Sequence, residues 1–130
     1  MSSDLEEPLF FLNSYYQAFS ALEVDAILAF YHEPSMFVSV QGVNVVPTHA
    51  ALGAMVLNPI REDLRSRGFD RSEFSLREGR RLSDALAVLT GVAIRYKIDG
   101  SELERVGVTY VLRKQNPSWK IVVLTVHEPG

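Results

Sequence analysis

The chain has 130 residues, within the usual range for one domain and enough to bury a core. Its 47% hydrophobic and 22% charged residues are ordinary for a globular protein, and its net charge of −3 comes without any run of Lys or Arg, which speaks against nucleic acid and against an anionic membrane surface. The complete lack of cysteine excludes disulfides, thiol nucleophiles and zinc–thiolate sites.

The start of the chain, with Asp4, Glu6, Glu7 and Pro8, is acidic and polar where a secretory signal is basic and then apolar. No apolar run is long enough to span a bilayer, so the expected location is the cytoplasm. From Pro8 to Leu22, Leu9, Leu12, Tyr15, Tyr16, Phe19 and Leu22 recur at three- and four-residue spacing, which predicts a helix with Pro8 in its first turn. A second, short helix is predicted over Val24 to Tyr31, with Ala26, Ile27, Phe30 and Tyr31 as its apolar positions. Pro34 closes it, because the residue before a proline is pushed out of the helical region.

Met36 to Val40 reads as a strand, followed by a Gln41-Gly42 turn and a short extended stretch over Val43 to Val46. Thr48 is placed to cap a third helix whose apolar positions are Ala51, Leu52, Met55 and Val56. Asn58-Pro59 predicts a kink or break there, with Asn58 as a new cap, Pro59 at the first position and Gly68 as the stop. Strands are predicted near 72–81, 85–98, 103–114 and 118–127, joined by short turns of which Asp99-Gly100 is the strongest hairpin signal. Helices followed by long hairpin-linked strands indicate an α+β fold, with the helices on one face of the sheet.

Strand 85–98 is apolar along one face through Leu86, Val88, Val92 and Ile94, and along the other through Ala85, Ala87, Leu89 and Ala93. A sheet with one solvated face should instead alternate apolar with polar residues. The helices cover one face, so the other is expected to meet a second copy of the chain in a homodimer. A sheet curling over itself is the alternative.

The order of these elements resembles the nuclear transport factor 2-like superfamily, whose fold is shared by ketosteroid isomerase and SnoaL-like polyketide cyclases. The resemblance is carried by Phe11 to Phe19, Asp25 to His32, Met36 to Ser39, Gly107 to Lys114 and Trp119 to Val122. It implies a cone-shaped, curved antiparallel sheet with three N-terminal helical segments packed in its concave face. It also implies a single domain over 1–130 and a pocket for a small apolar ligand inside the cone. By the same resemblance, Tyr15 falls where ketosteroid isomerases keep the tyrosine that hydrogen-bonds the enolate, and Ser39 where they keep the carboxylate base. A serine hydroxyl does not take a proton from carbon near neutral pH without a partner base, so isomerase chemistry by that route is not expected.

Pocket-lining candidates are Tyr15, Phe19, Tyr31, Phe37, Ser39, His49, Tyr110 and His127. Aromatics at helical spacing more often fill a core than wall a pocket, and Tyr15 is the one the fold turns inward. His49, near the start of helix 3, is a ligand contact or base on one reading and an exposed first-turn residue on the other, which is favoured. His127 ends the last strand, and His32 suits a helix C-terminus. The histidines lack metal-type spacing, and no phosphate loop, dinucleotide or nucleophile-elbow motif occurs, so no metal or cofactor is expected. Arg95 either meets a ligand carboxylate, pairs with an acid such as Glu104 across a dimer, or marks where the strand emerges into solvent, which is the favoured reading. Three functions stay open: a small-molecule-binding protein, a SnoaL-like enzyme using Tyr15 with His49 or His127, and a protein–protein interaction module.

Overall fold

The structure is a computed structural model that describes residues 2–129, so Met1 and Gly130 of the expected domain lie outside the described residues. After a short 3-10 turn, α1 spans Glu6–Ser20, with Pro8, Leu12, Tyr15, Tyr16 and Phe19 buried along one stripe. Leu22 follows in a left-handed conformation, φ 55°, and is 6% exposed, so its apolar side chain stays in the core at a position glycine would occupy more easily. The second helix, α2, covers only Val24–Leu28.

Tyr31 therefore begins β1 (Tyr31–Ser39), which corrects the longer helix read from the sequence. Phe30 carbonyl accepts from the Ile121 amide at 2.9 Å, so the chain is already committed to the sheet where the apolar spacing still suits a helix. Pro34, read as a helix stop, lies inside β1, where the register slips between Tyr31 and Met36 and no ladder donor is required of it. The hairpin partner β2 is Gly42–Val46.

The third helical segment runs without a break from α3 (His49–Leu52) through a π-helical turn (Gly53–Leu57) into α4 (Asn58–Ser66). Thr48 Oγ1 accepts from the Ala51 amide at 3.1 Å, the expected cap. Asn58 is helical, not a cap; its amide donates to Gly53 carbonyl five residues back. That wider turn absorbs Pro59, which has no amide hydrogen and would crowd a carbonyl of a regular α-turn, so the segment bulges instead of breaking. Gly68, φ 79°, ends it as expected.

Four long strands follow: β3 (Phe69–Ser83), β4 (Leu86–Lys97), β5 (Glu102–Gln115) and β6 (Ser118–His127). The α+β sheet is six-stranded, curved and unclosed, in the order β2-β1-β6-β5-β4-β3. Four of its five pairings are antiparallel as expected, and β1 runs parallel to β6. Among the described residues no helix is long and apolar enough to cross a membrane.

Register assigns the two faces. Phe37, Leu124, Tyr110, Leu89 and Gly79 lie opposite one another across five strands, and Tyr110 and Leu89 are buried under the helices. Farther along the same concave face come Val108 beside Gly91, Val106 beside Ala93 and Phe74, and Glu104 beside Arg95 and Ser72. Gly91 is where a side chain would collide: an added Cβ would sit 2.7 Å from the Phe74 ring, which packs into the space left open.

Candidate functional site

Between the concave face and the helices lies a cavity of about 110 Å³. Its roof is Tyr15, Tyr16 and Phe19 from α1, with Val56, Leu57 and Ile60 from the helical segment that carries the π turn. Its floor is drawn from five strands, including Tyr31 and Phe37 of β1, Ser72 of β3, Ala93 and Arg95 of β4, and Val108 and Tyr110 of β5. The cavity exists because small and branched residues, Ala93, Val106 and Val108, occupy the floor opposite the aromatic helix stripe.

Four tyrosine hydroxyls form two buried pairs, Tyr15 with Tyr31 at 2.5 Å and Tyr16 with Tyr110 at 2.6 Å. The pairing lets phenols sit in an apolar interior without an orphaned hydroxyl. Burial pushes Tyr15 up to about 12, partly offset by its hydrogen bond to Tyr31, and burial likewise raises Tyr16 above the ordinary phenol value. Tyr31 and Tyr110 are raised well above it, first by burial and then by the charge that an ionised Tyr15 or Tyr16 would place beside them. All four are neutral hydrogen-bonding groups at physiological pH, not bases.

Arg95 does not emerge freely into solvent; its side chain is 21% exposed and lines the cavity. Its Nη1 donates to Glu104 Oε2 of the same chain, directly across the β4–β5 ladder. The other oxygen of Glu104 accepts from Arg67 at 2.6 Å, and Arg67 also meets Asp63. Burial alone would raise the Glu104 carboxyl, but the hydrogen bonds from Arg67 and Arg95 and their charges outweigh it and hold it below the usual carboxylate value. Among the described residues three buried side-chain nitrogen or oxygen atoms have no hydrogen-bond partner, and two of them, Arg95 Nε and Ser72 Oγ, belong to cavity-lining residues.

Of the eight candidates named from the sequence, Tyr15, Phe19, Tyr31, Phe37 and Tyr110 come together around the cavity. Ser39, His49 and His127 do not. Ser39 lies at the far end of β1, its hydroxyl accepting from the Gln41 amide at 3.2 Å. The His49 ring is hydrogen-bonded through Nε2 to the Tyr31 carbonyl at 2.7 Å and lies against the main chain outside the lining.

His127 pairs in register with Gly107 and so stands on the convex face, where its Nε2 meets Thr109 Oγ1 at 2.9 Å. The register slip in the β5–β6 pairing, between Val111 and Leu112, moves it off the face of Trp119 and Ile121. His32 sits in β1, not at a helix end, bonded to the Pro34 carbonyl and Arg113. Arg81, on β3, reaches back to the Asp4 carbonyl and over the Trp119 ring.

Sequence reasoning weighed a ligand contact for Arg95 but favoured solvent, and it left out Ser72. The signal lay in strand register: only once Arg95 is opposite both Ser72 and Glu104 is it seen to face inward.

The sequence matches the model of a family described as NTF2-like protein (DUF6841) over residues 7–129. No curated protein matches it. Among solved structures, a domain of unknown function with a cystatin-like fold from Nostoc punctiforme superposes with a TM-score of 0.73 at 17% identity, covering 100% of this chain and 79% of that one. An NTF-2 like protein of unknown function from Shewanella oneidensis gives 0.72 at 19% identity, covering 97% and 98%. A ketosteroid isomerase-like protein from Erwinia carotovora atroseptica gives 0.65 at 16% identity, covering 97% and 96%. At these identities the likeness is one of fold.

Proposed function

Since the chain belongs to the NTF2-like protein family (DUF6841), we propose that its cone binds a small, mainly apolar molecule between α1 and the sheet. The observation that supports this is the cavity itself, about 110 Å³ and walled chiefly by aromatic and aliphatic side chains. An apolar void of about 150 Å³ accepts benzene, so this smaller, partly open one suits a ligand no larger than about six heavy atoms. Binding needs no chemistry from the walls, and the walls offer little: the lining contains no histidine and no carboxylate.

That lining also weighs against the SnoaL-like enzyme, since Tyr15 has neither His49 nor His127 within the same cavity. A core filled with side chains would have favoured the interaction module, and the void does not. The test is a titration with benzene followed by NMR. Saturable binding with a Kd of about 1 mM or tighter is expected. It should be lost in Ala93→Leu, which fills the cavity floor, while circular dichroism confirms that the variant folds. Absence of saturable binding to the native protein would contradict the reading.

We also propose that two copies pair through the convex face. Support comes from a row of apolar residues, Val45, Met36, Val123, Val111 and Val88, aligned across five strands on the side without helices. All five are half-buried or exposed in one chain.

A further inference from the structure

Resting on the reading that the cavity holds a small molecule, we infer that its ligand is a short branched or cyclic carboxylic acid, bound as the carboxylate to Arg95 and Ser72. The two residues face each other across the β3–β4 ladder, on the concave side and at the same end of the cavity. Ser72 is 5% exposed, and its hydroxyl oxygen has no partner even though its amide and carbonyl are both bonded to Ser20. Arg95 spends one terminal nitrogen on Glu104, while its Nε is buried and unpartnered beside the Phe19 ring.

A buried N–H and a buried hydroxyl left without partners cost free energy, unless something that enters the cavity satisfies them. Both can donate, and a carboxylate accepts on two oxygens, so one anionic group answers both. A neutral carbonyl would accept from the guanidinium more weakly than a carboxylate does. Glu104 and Asp63 together balance the charges of Arg95 and Arg67, so what the cavity offers an acid is the unpartnered Arg95 Nε–H beside the Ser72 hydroxyl. The remainder of the site fixes the rest of the ligand. Away from Arg95 the cavity meets Val108, Tyr110, Leu57 and the ring of Tyr15, a lining for a compact hydrocarbon group. A cation is disfavoured by Arg95, and a long chain by the volume.

Isobutyrate and isobutyramide have the same shape and number of heavy atoms and differ in charge, so the comparison isolates the carboxylate. Titration at pH 7 and constant low ionic strength, by NMR with benzene as a neutral reference, should show isobutyrate binding roughly tenfold or more tightly than the amide. Arg95→Met should abolish that preference while benzene still binds, and Ser72→Ala should weaken isobutyrate about threefold or more with benzene unaffected. Ser72→Ala carries the test if the arginine variant does not fold. Equal affinity for acid and amide, or a preference that survives loss of Arg95, overturns the carboxylate assignment and leaves the apolar pocket standing if benzene binds. Failure of benzene and isobutyrate alike removes the pocket and the assignment together.

Discussion

Tyr15 and Tyr31 show how a residue can serve cavity and core at once. Each lines the cavity, each is nearly inaccessible, and each satisfies the other's hydroxyl. Removing one hydroxyl strands its partner in an apolar setting, which costs more than the bond itself contributes. Tyr15→Phe should therefore destabilise the fold by about 1–3 kcal/mol, and Tyr31→Phe by a similar amount. The double variant should be far less destabilised than the two losses combined, because neither orphan remains. Urea denaturation of the four proteins measures this, and additive losses would contradict the pairing.

At this scale the sequence was legible for Tyr15, whose inward position came with the resemblance, and for the aromatic stripe of α1. For His49 and His127 it left more than one reading open. His49 near a helix start and His127 at a strand end both look poised, yet a backbone carbonyl holds one and a threonine hydroxyl on the neighbouring strand holds the other. Arg95 was weighed and set aside, because an arginine at the end of an apolar strand usually marks solvent. The acid that keeps it inside lies nine residues away, on the next strand.

Elements were read best where local chemistry decides them. The α1 stripe, the Thr48 cap, the Gly68 stop and the Asp99-Gly100 turn all follow from rules that act within a few residues. Misreadings occurred where the sheet or a helix defect overrode the local signal. Phe30 and Tyr31 continue a helical spacing, yet the Phe30 carbonyl already bonds β6 and Tyr31 begins β1. Asn58-Pro59 carries every mark of a restart and is absorbed by a π turn. The parallel β1–β6 pairing has no local signature at all, since it joins strands separated by most of the chain.

The same register that exposes these differences aligns the apolar convex row, and from it comes a prediction about the sheet face. Light scattering on the native protein should give twice the 14.6 kDa chain mass. Val123→Glu should convert it to the single-chain mass without loss of secondary structure, since a charge desolvated at the centre of such a row has no partner. A native protein that remains at the single-chain mass at every concentration would contradict pairing.

For the whole molecule, the fold was legible, and a pocket was expected through the resemblance alone, without its full lining or its volume. Element order was enough to give an α+β fold with helices on one face of a hairpin-linked sheet, and the curvature came with the family resemblance. A cavity has no residue of its own. It is the difference between the bulk supplied by α1 and the π-turn segment and the small side chains of β4 and β5, and it takes shape only when both are placed. An interior closes such voids unless something sustains them, since unfilled space forfeits packing contacts. Here Tyr15 and Tyr16 of the roof are tied by their hydroxyls to Tyr31 and Tyr110 of the floor, so their rings cannot move into the space without giving up buried hydrogen bonds.

Diffraction from crystals pressurised with xenon tests that claim most directly, since xenon enters apolar voids without help from specific contacts. The account predicts a strong peak enclosed by Tyr15, Leu57, Ala93 and Val108, absent in Ala93→Leu crystals. Side chains collapsed into that space, with no xenon in the native protein, would contradict it.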